Sequence, residues 1–338
     1  MELGENVVKN VCYSPDGSCL AVTASDSPFR LTTSQGVPVS SYVTGGDIFD
    51  FDFYPGFSSS EPQTQAVLIA SRNRPMQLVS TTNMSPLSAY TAYSFTDEVV
   101  HPICVRFSPT CQKIFGAFPQ STLRVWDVQR PGRQTDTITF STKREKDESV
   151  QKGILSAIDV ASEDHIFVGS YSRSIFGYDL RDWKSSRTKF GCEKQTHVGG
   201  LVQLKYIESR SLLLSGHRMD RFVYGWDVRK PNEPVVHLGR KTGTNQRFTF
   251  DIVDDRMLFC GDSEGHLLTF DLDHSSLVQE VNISDRANSV VSVSVKGGLV
   301  ACGVGTRTFA HVGSDDEEIT EEGSRVVVFP LKKETLTL

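Results

Sequence analysis

Five polar side chains able to hold an anion or read a planar edge fall in the stretch GRKTGTNQR at 239–247: Arg240, Lys241, Asn245, Gln246 and Arg247. A guanidinium is a planar fork of donors that matches phosphate oxygens and base edges and stacks on unpaired bases. A side-chain amide adds a donor and an acceptor together. Further arginines occupy short polar turns: Arg72 and Arg74 in SRNRP, Arg173 in SYSRS, and Arg218 and Arg221 in GHRMDR. The chemistry such a set suggests is recognition of phosphates and exposed bases. A plainer reading, in which these arginines pair with acids such as Asp220 or Asp262, fits the composition equally well.

Residues for catalysis or metal binding are not assembled in any recognisable spacing. GRKTG looks like the end of a phosphate-binding GxxxxGK[ST] loop, but the chain has Pro234 where the first glycine belongs and Arg240 where the lysine belongs. There is no HExxH, no GxSxG and no CxxC pair. The expectation is therefore no catalytic residue, no metal and no cofactor, although propeller enzymes scatter their residues widely enough to hide a site. His197, in the turn THVGG, is expected to join Ser215, Asp220 and Trp226 in a buried hydrogen-bonded tetrad, because a polar histidine near an interface must be satisfied. Direct contact with RNA is the alternative role for His197.

These residues need elements to position them, and the elements come as a repeat. In HPICVRFSPTCQKIFGAFPQSTLRVWDVQR, at 101–130, three strand-length runs are separated by a Ser-Pro turn and a polar turn. Comparable units begin near Val8, Asp47, Ile154, Gly200, Arg247 and Ser289, making seven in all. Four third strands end in an aromatic residue followed by aspartate: Trp126-Asp127, Tyr178-Asp179, Trp226-Asp227 and Phe270-Asp271. That is the WD-repeat signature, with a period near the roughly 40–45 residues of a propeller blade. The predicted fold is all-β, a single seven-bladed WD-repeat β-propeller over 1–338. An acidic insertion at about 304–324, containing SDDEEITEEGS, would leave blade seven between its second and third strands. The C-terminal KKETLTL is expected to complete that blade.

The propeller topology also sorts the arginines. Strands run outward from the axis, so turns between second and third strands and connections from one blade to the next emerge on one face. SRNRP, SYSRS, GHRMDR and GRKTGTNQR all belong there, which gathers at least six cations on one rim of a chain whose net charge is -6. QRPGRQ (Arg130, Arg133) and RKPNE (Arg229, Lys230) fall on the opposite face. The overall charge gives no bulk attraction to nucleic acid or anionic membrane, so any polyanion site must be local. Seven scattered cysteines fit a reducing compartment. The polar opening MELGENVVKN and the shortness of the apolar runs predict a soluble intracellular protein without a membrane span.

One passage carries more than a generic WD repeat. SGHRMDRFVYGWDVRKPNEPVVHLGRKTGTNQRFTFDI resembles the blade five to six passage of the telomerase Cajal body protein family, with its SGxRxD turn, LGR and TNQR. PDGSC, SRNRP, RPGR, GSYSRS and HVGG add segmental matches across nearly the whole chain. The resemblance implies a nuclear adaptor, without catalysis, that recognises the Cajal-body-box loop of box H/ACA small Cajal body RNAs and of telomerase RNA. It would act as a monomer within an RNA-protein particle, alongside box H/ACA and telomerase proteins, and reside in Cajal bodies. Arg72, Arg173, Arg218, Asp220, Arg240, Asn245, Gln246 and Arg247 sit on the matched motifs. KREK at 143–146 is the only candidate for a nuclear-import cluster. The alternative is a protein-only scaffold, for example one assisting spliceosomal particle assembly, whose rim meets acidic peptides.

Overall fold

The computed structural model describes residues 1–4, 6–26, 28–142, 147, 149–191, 199–306 and 323–331. Seven sheets follow one another along the chain, antiparallel except where Gly132–Arg133 adds in parallel to Tyr90 and Thr91 at the edge of the second. Their innermost strands are Val8–Tyr13, Ile48–Phe53, Cys104–Phe107, Leu155–Val160, Leu201–Ile207, Phe250–Val253 and Asn288–Ser294. Helix is confined, among the described residues, to three single 3₁₀ turns.

Burial within a blade explains the sequence pattern of its strands. The second strands Ala66–Ser71 (AVLIAS) and Leu212–His217 (LLLSGH) are buried at every position, because both faces of a blade press on neighbours. The outermost strand Pro38–Val43 (PVSSYV) instead leaves Val39 and Val43 exposed, having no sheet beyond it. Seven separate apolar clusters result, and each joins two consecutive blades. One sets Phe115 and Leu123 of blade three against Leu155 and Tyr178 of blade four. Another sets Val8 and Leu20 of blade one against Val290 and Ala301 of blade seven. Seven wedges for seven blades means that the ring is closed: the fold is a seven-bladed β-propeller.

Around the axis, inner strands expose backbone donors that no strand covers, and side chains from the preceding blade satisfy them. Asp50 and Asp52 accept the N–H groups of Val105 (3.1 Å) and Phe107 (2.8 Å). Asp159 accepts that of Tyr206 (2.5 Å), and Asp251 that of Val293 (2.8 Å). Gln203 both accepts from Phe250 N–H and donates to its carbonyl. Buried donors left unpaired would each cost about 1–3 kcal/mol, so the acids on the inner strands are structural.

Closure draws on the N-terminus, which the sequence expectation did not include. Blade seven has the strands Asn288–Ser294, Leu299–Val304 and Arg325–Pro330. The outer edge of the last is paired by the N-terminal residues: Leu3 N–H donates to Ser324, Val326 N–H to Met1, and Glu2 bridges Arg325. Leu3 is buried in the wedge between blades seven and one. The tail KKETLTL at 332–338 lies outside the described residues, as do 307–322 of the acidic insertion and KREK at 143–146.

Candidate nucleic-acid interface

At the face where blades connect, the channel opens into a cavity of about 370 Å3. Its walls include Val8, Phe49, Ile103, Ser156, Arg218, Arg247 and Ser289, so every blade or the connection entering it contributes, and the cavity is the mouth of the axis. Three of the arginines expected on this rim meet there: Arg72, Arg218 and Arg247, with Asn245 and Gln246.

Each arginine is held in a different way. Arg72 lies over the ring of Phe49, 5.6 Å from its centroid, and 3.7 Å from the Asp47 carboxylate. Phe49 in turn stacks on His101, with centroids 5.0 Å apart and planes 13° from parallel. His101 Nδ1 accepts the Asn73 N–H at 3.2 Å, and burial, with Arg72 adding to it, pushes the imidazole pKa down, so the ring is neutral. Across the mouth Arg218 lies 5.3 Å over the ring of Tyr171 and donates to the Asn245 carbonyl at 3.2 Å. Arg247 donates to the Val202 carbonyl at 3.4 Å. Among the described residues neither Arg218 nor Arg247 has a carboxylate within salt-bridge distance.

The backbone that presents this second shelf depends on glycine. A Cβ on Gly200 would stand 2.7 Å from the Tyr171 Cα, and one on Gly199 only 2.0 Å from the Arg218 carbonyl oxygen. The glycines of HVGG thus let the connection into blade five pass between two turns that carry an aromatic ring and a guanidinium.

No family model matches the chain. Telomerase Cajal body protein 1 of Mesocricetus auratus is 28% identical over 345 residues, covering 94% of this chain and 62% of that protein. The Homo sapiens protein of the same name is 30% identical over 288 residues, 80% of this chain and 50% of that one. Telomerase Cajal body protein 1 homolog of Drosophila melanogaster is 25% identical over 348 residues, 96% of this chain and 62% of that one. The chain belongs to the telomerase Cajal body protein family. It spans about three fifths of the length of the hamster and fly proteins.

Within this member of the telomerase Cajal body protein family, the other site candidates have different surroundings. Arg74 and Arg173 are exposed in their turns, with Arg173 at a left-handed φ of 70°, but neither lines the mouth. Lys241 is exposed and engaged by Glu264 at 2.5 Å. Arg240 departs from the rim altogether: it is only 4% exposed, lies over the Phe248 ring at 5.7 Å, and donates to the Phe248 carbonyl at 3.5 Å. Burial pushes its pKa below the usual arginine value. Gln246 borders the mouth, yet its amide donates to the Gly305 carbonyl at 2.8 Å and so ties the entrance of blade six to blade seven. The physical reason is local: this connection must cross a blade boundary, and its buried side chains serve that crossing. Asn245 keeps an exposed side chain.

Of the expected tetrad, Trp226 Nε1 donates to Ser215 Oγ at 2.9 Å, and Ser215 Oγ is 3.1 Å from His217 Nε2. Asp220 accepts from Tyr224 Oη and from Phe222 N–H, each at 3.1 Å. His197 lies outside the described residues. Among the described residues, Asp262, Glu264 and His266 bring ligand-type atoms together. Asp262, however, accepts the N–H groups of Glu264 and His266 and holds the His266 ring at 2.9 Å, which is a turn-stabilising arrangement.

Sequence reasoning missed the aromatic partners. Phe49 sits in IFDFDF, where alternation reads as an ordinary inner strand. Tyr171 shares the SYSRS turn with Arg173, and a large aromatic in an otherwise polar turn is the signal that could have marked it; the structure leaves it 38% exposed.

Proposed function

We propose that this chain is an RNA-binding adaptor whose axial mouth receives the exposed loop of a small nuclear RNA of the box H/ACA type, telomerase RNA included, and carries the particle to Cajal bodies. The observation that carries the reading is the convergence of Arg72, Arg218 and Arg247 with Asn245 on one cavity. The plain alternative for these arginines was neutralisation by nearby acids. Asp220 and Asp262 instead spend their carboxylates on Tyr224, His266 and backbone N–H groups. Arg72 keeps Asp47 at 3.7 Å and Arg247 feels the charge of Asp50, but Arg218 has, among the described residues, only a carbonyl and an aromatic face as partners and keeps its charge available to phosphate. The names of the relatives, which speak of telomerase and the Cajal body, support the same direction and a nuclear location. The role is binding rather than catalysis: the mouth joins cations, aromatics and an amide, the parts of a single-stranded RNA platform.

Ultraviolet crosslinking of the protein in its own cells, followed by sequencing of the attached RNA, tests the proposal. Enrichment of hairpin-hinge-hairpin RNAs, with crosslinks in a terminal loop, is the expected outcome. Recovery of no enriched RNA class would overturn it in favour of a protein-only scaffold.

A further inference from the structure

The two arginine-aromatic pairs at the mouth are not equivalent. Phe49 already carries His101 stacked at 5.0 Å and Arg72 at 5.6 Å, so it acts as a buttress that holds Arg72 in place. Tyr171 carries only Arg218 among the ring contacts of the described residues, and it stays 38% exposed. Neither ring belongs to any of the seven apolar wedges, so core packing does not account for Tyr171. Beside this shelf, Arg218 Nε and Arg247 Nε are buried and have no hydrogen-bond partner among the described residues. Arg218 holds the Asn245 backbone carbonyl, which places that exposed residue next to the same shelf.

A cavity of about 370 Å3 is at the small end of ligand pockets, which run from roughly 300 to 1,000 Å3. It has room for one nucleotide and not for a folded loop. From this geometry we infer that the axial mouth is a pocket for a single extruded nucleotide: its base stacks on the Tyr171-Arg218 shelf, its edge meets Asn245, and its phosphate lies against the guanidiniums of Arg218 and Arg247. The inference rests on the RNA-binding reading and adds that one loop position is read in the axis while the others are held on the rim. Stacking on an aromatic is worth about 1–3 kcal/mol per base, so loss of that one base should weaken binding about 5- to 150-fold.

The test uses a pool of RNA hairpins with a randomised five-nucleotide loop. The best-bound hairpin is remade with an abasic site at each loop position in turn, and each version is titrated against the wild-type protein, Tyr171→Ala and Tyr171→Phe. One loop position is expected to show the large loss in the wild type and in Tyr171→Phe, and little further loss in Tyr171→Ala, whose melting temperature should be unchanged. Uniform losses at all positions, or full affinity in Tyr171→Ala, would overturn the pocket while leaving rim binding of RNA intact. Absence of any bound hairpin in the wild type would instead remove the RNA-binding reading itself. The mononucleotides AMP, GMP, CMP and UMP form the last arm: binding by one of them as tight as by the hairpin would overturn the inference by making a free nucleotide the ligand.

Discussion

Arg240 and Arg247 stand seven positions apart in one connection and have opposite fates, the first under the Phe248 ring and the second at the axial mouth. Residue type announced guanidinium chemistry at both positions, but side-chain direction in an irregular connection has no period that a sequence could display. Alternation on a regular strand does have one. Asp50 and Asp52 in IFDFDF are two apart, and both turn to the axis to accept donors from blade three. Asp52 is the more consequential for pH. Burial pushes its pKa up to about 6, against the pull of Arg106 and the Phe107 hydrogen bond, with Asp50 raising it further and Lys205 lowering it. A carboxyl whose folded-state pKa is raised contributes stability that is full below its unfolded value and is lost as pH rises through the folded one. Asp52→Asn keeps an acceptor for Phe107 but cannot ionise. Its stability relative to wild type should therefore improve by about 1–3 kcal/mol between pH 4 and pH 7.5, an upper range discounted by channel water. Urea denaturation at the two pH values measures this, and an equal difference at both would contradict a raised pKa.

At the scale of elements, strands were more legible than their connections. The aromatic-Asp strand ends were visible in the sequence because each ends a third strand: Thr122–Asp127, Ile175–Asp179, Phe222–Asp227 and His266–Asp271. Buried Trp126 and Trp226 fill the wedges with blades two and four. The HVGG glycines were legible only as part of a resemblance, since their physical role depends on turns from two other strands closing on them. Gly200→Ala should force the Tyr171 backbone aside, costing about 1–3 kcal/mol and displacing the Tyr171-Arg218 shelf. Thermal melting and hairpin affinity should fall together in this variant. A fall in melting temperature with unchanged affinity would mean that the shelf is not part of the binding surface.

For the whole molecule, closure is the property on which everything else depends, because each blade shares both faces with neighbours. The part of the N-terminus in closure was hidden from the sequence because only a few residues precede the first inner strand, too few to look like a strand, yet Met1 to Leu3 reach the edge of Arg325–Pro330. Leu3→Ala, which empties part of the wedge between blades seven and one, should cost about 2–4 kcal/mol and shift one cooperative unfolding transition. An unshifted transition would show that the N-terminal residues do not close the ring. Closure also fixes which side chains share a face, and that is the central claim. Arg130 pairs with Asp127 at 3.6 Å and Arg229 with Asp227 at 2.9 Å, each just past the end of a third strand and so opposite the mouth, whereas Arg133, expected there too, reaches Asp97 at 3.3 Å in the connection from blade two to blade three and lies over Tyr93. The most direct measurement is hairpin-loop RNA affinity across a salt series for alanine variants at Arg72, Arg218 and Arg247, compared with Arg130 and Arg229. Each phosphate contact to a single strand contributes about -0.7 to the slope of log affinity against log salt, so a mouth variant should weaken binding and flatten the slope by about that step. Wild-type affinity and slope are expected for Arg130→Ala and Arg229→Ala. Equal losses from both faces, or none from either, would contradict an axial RNA site.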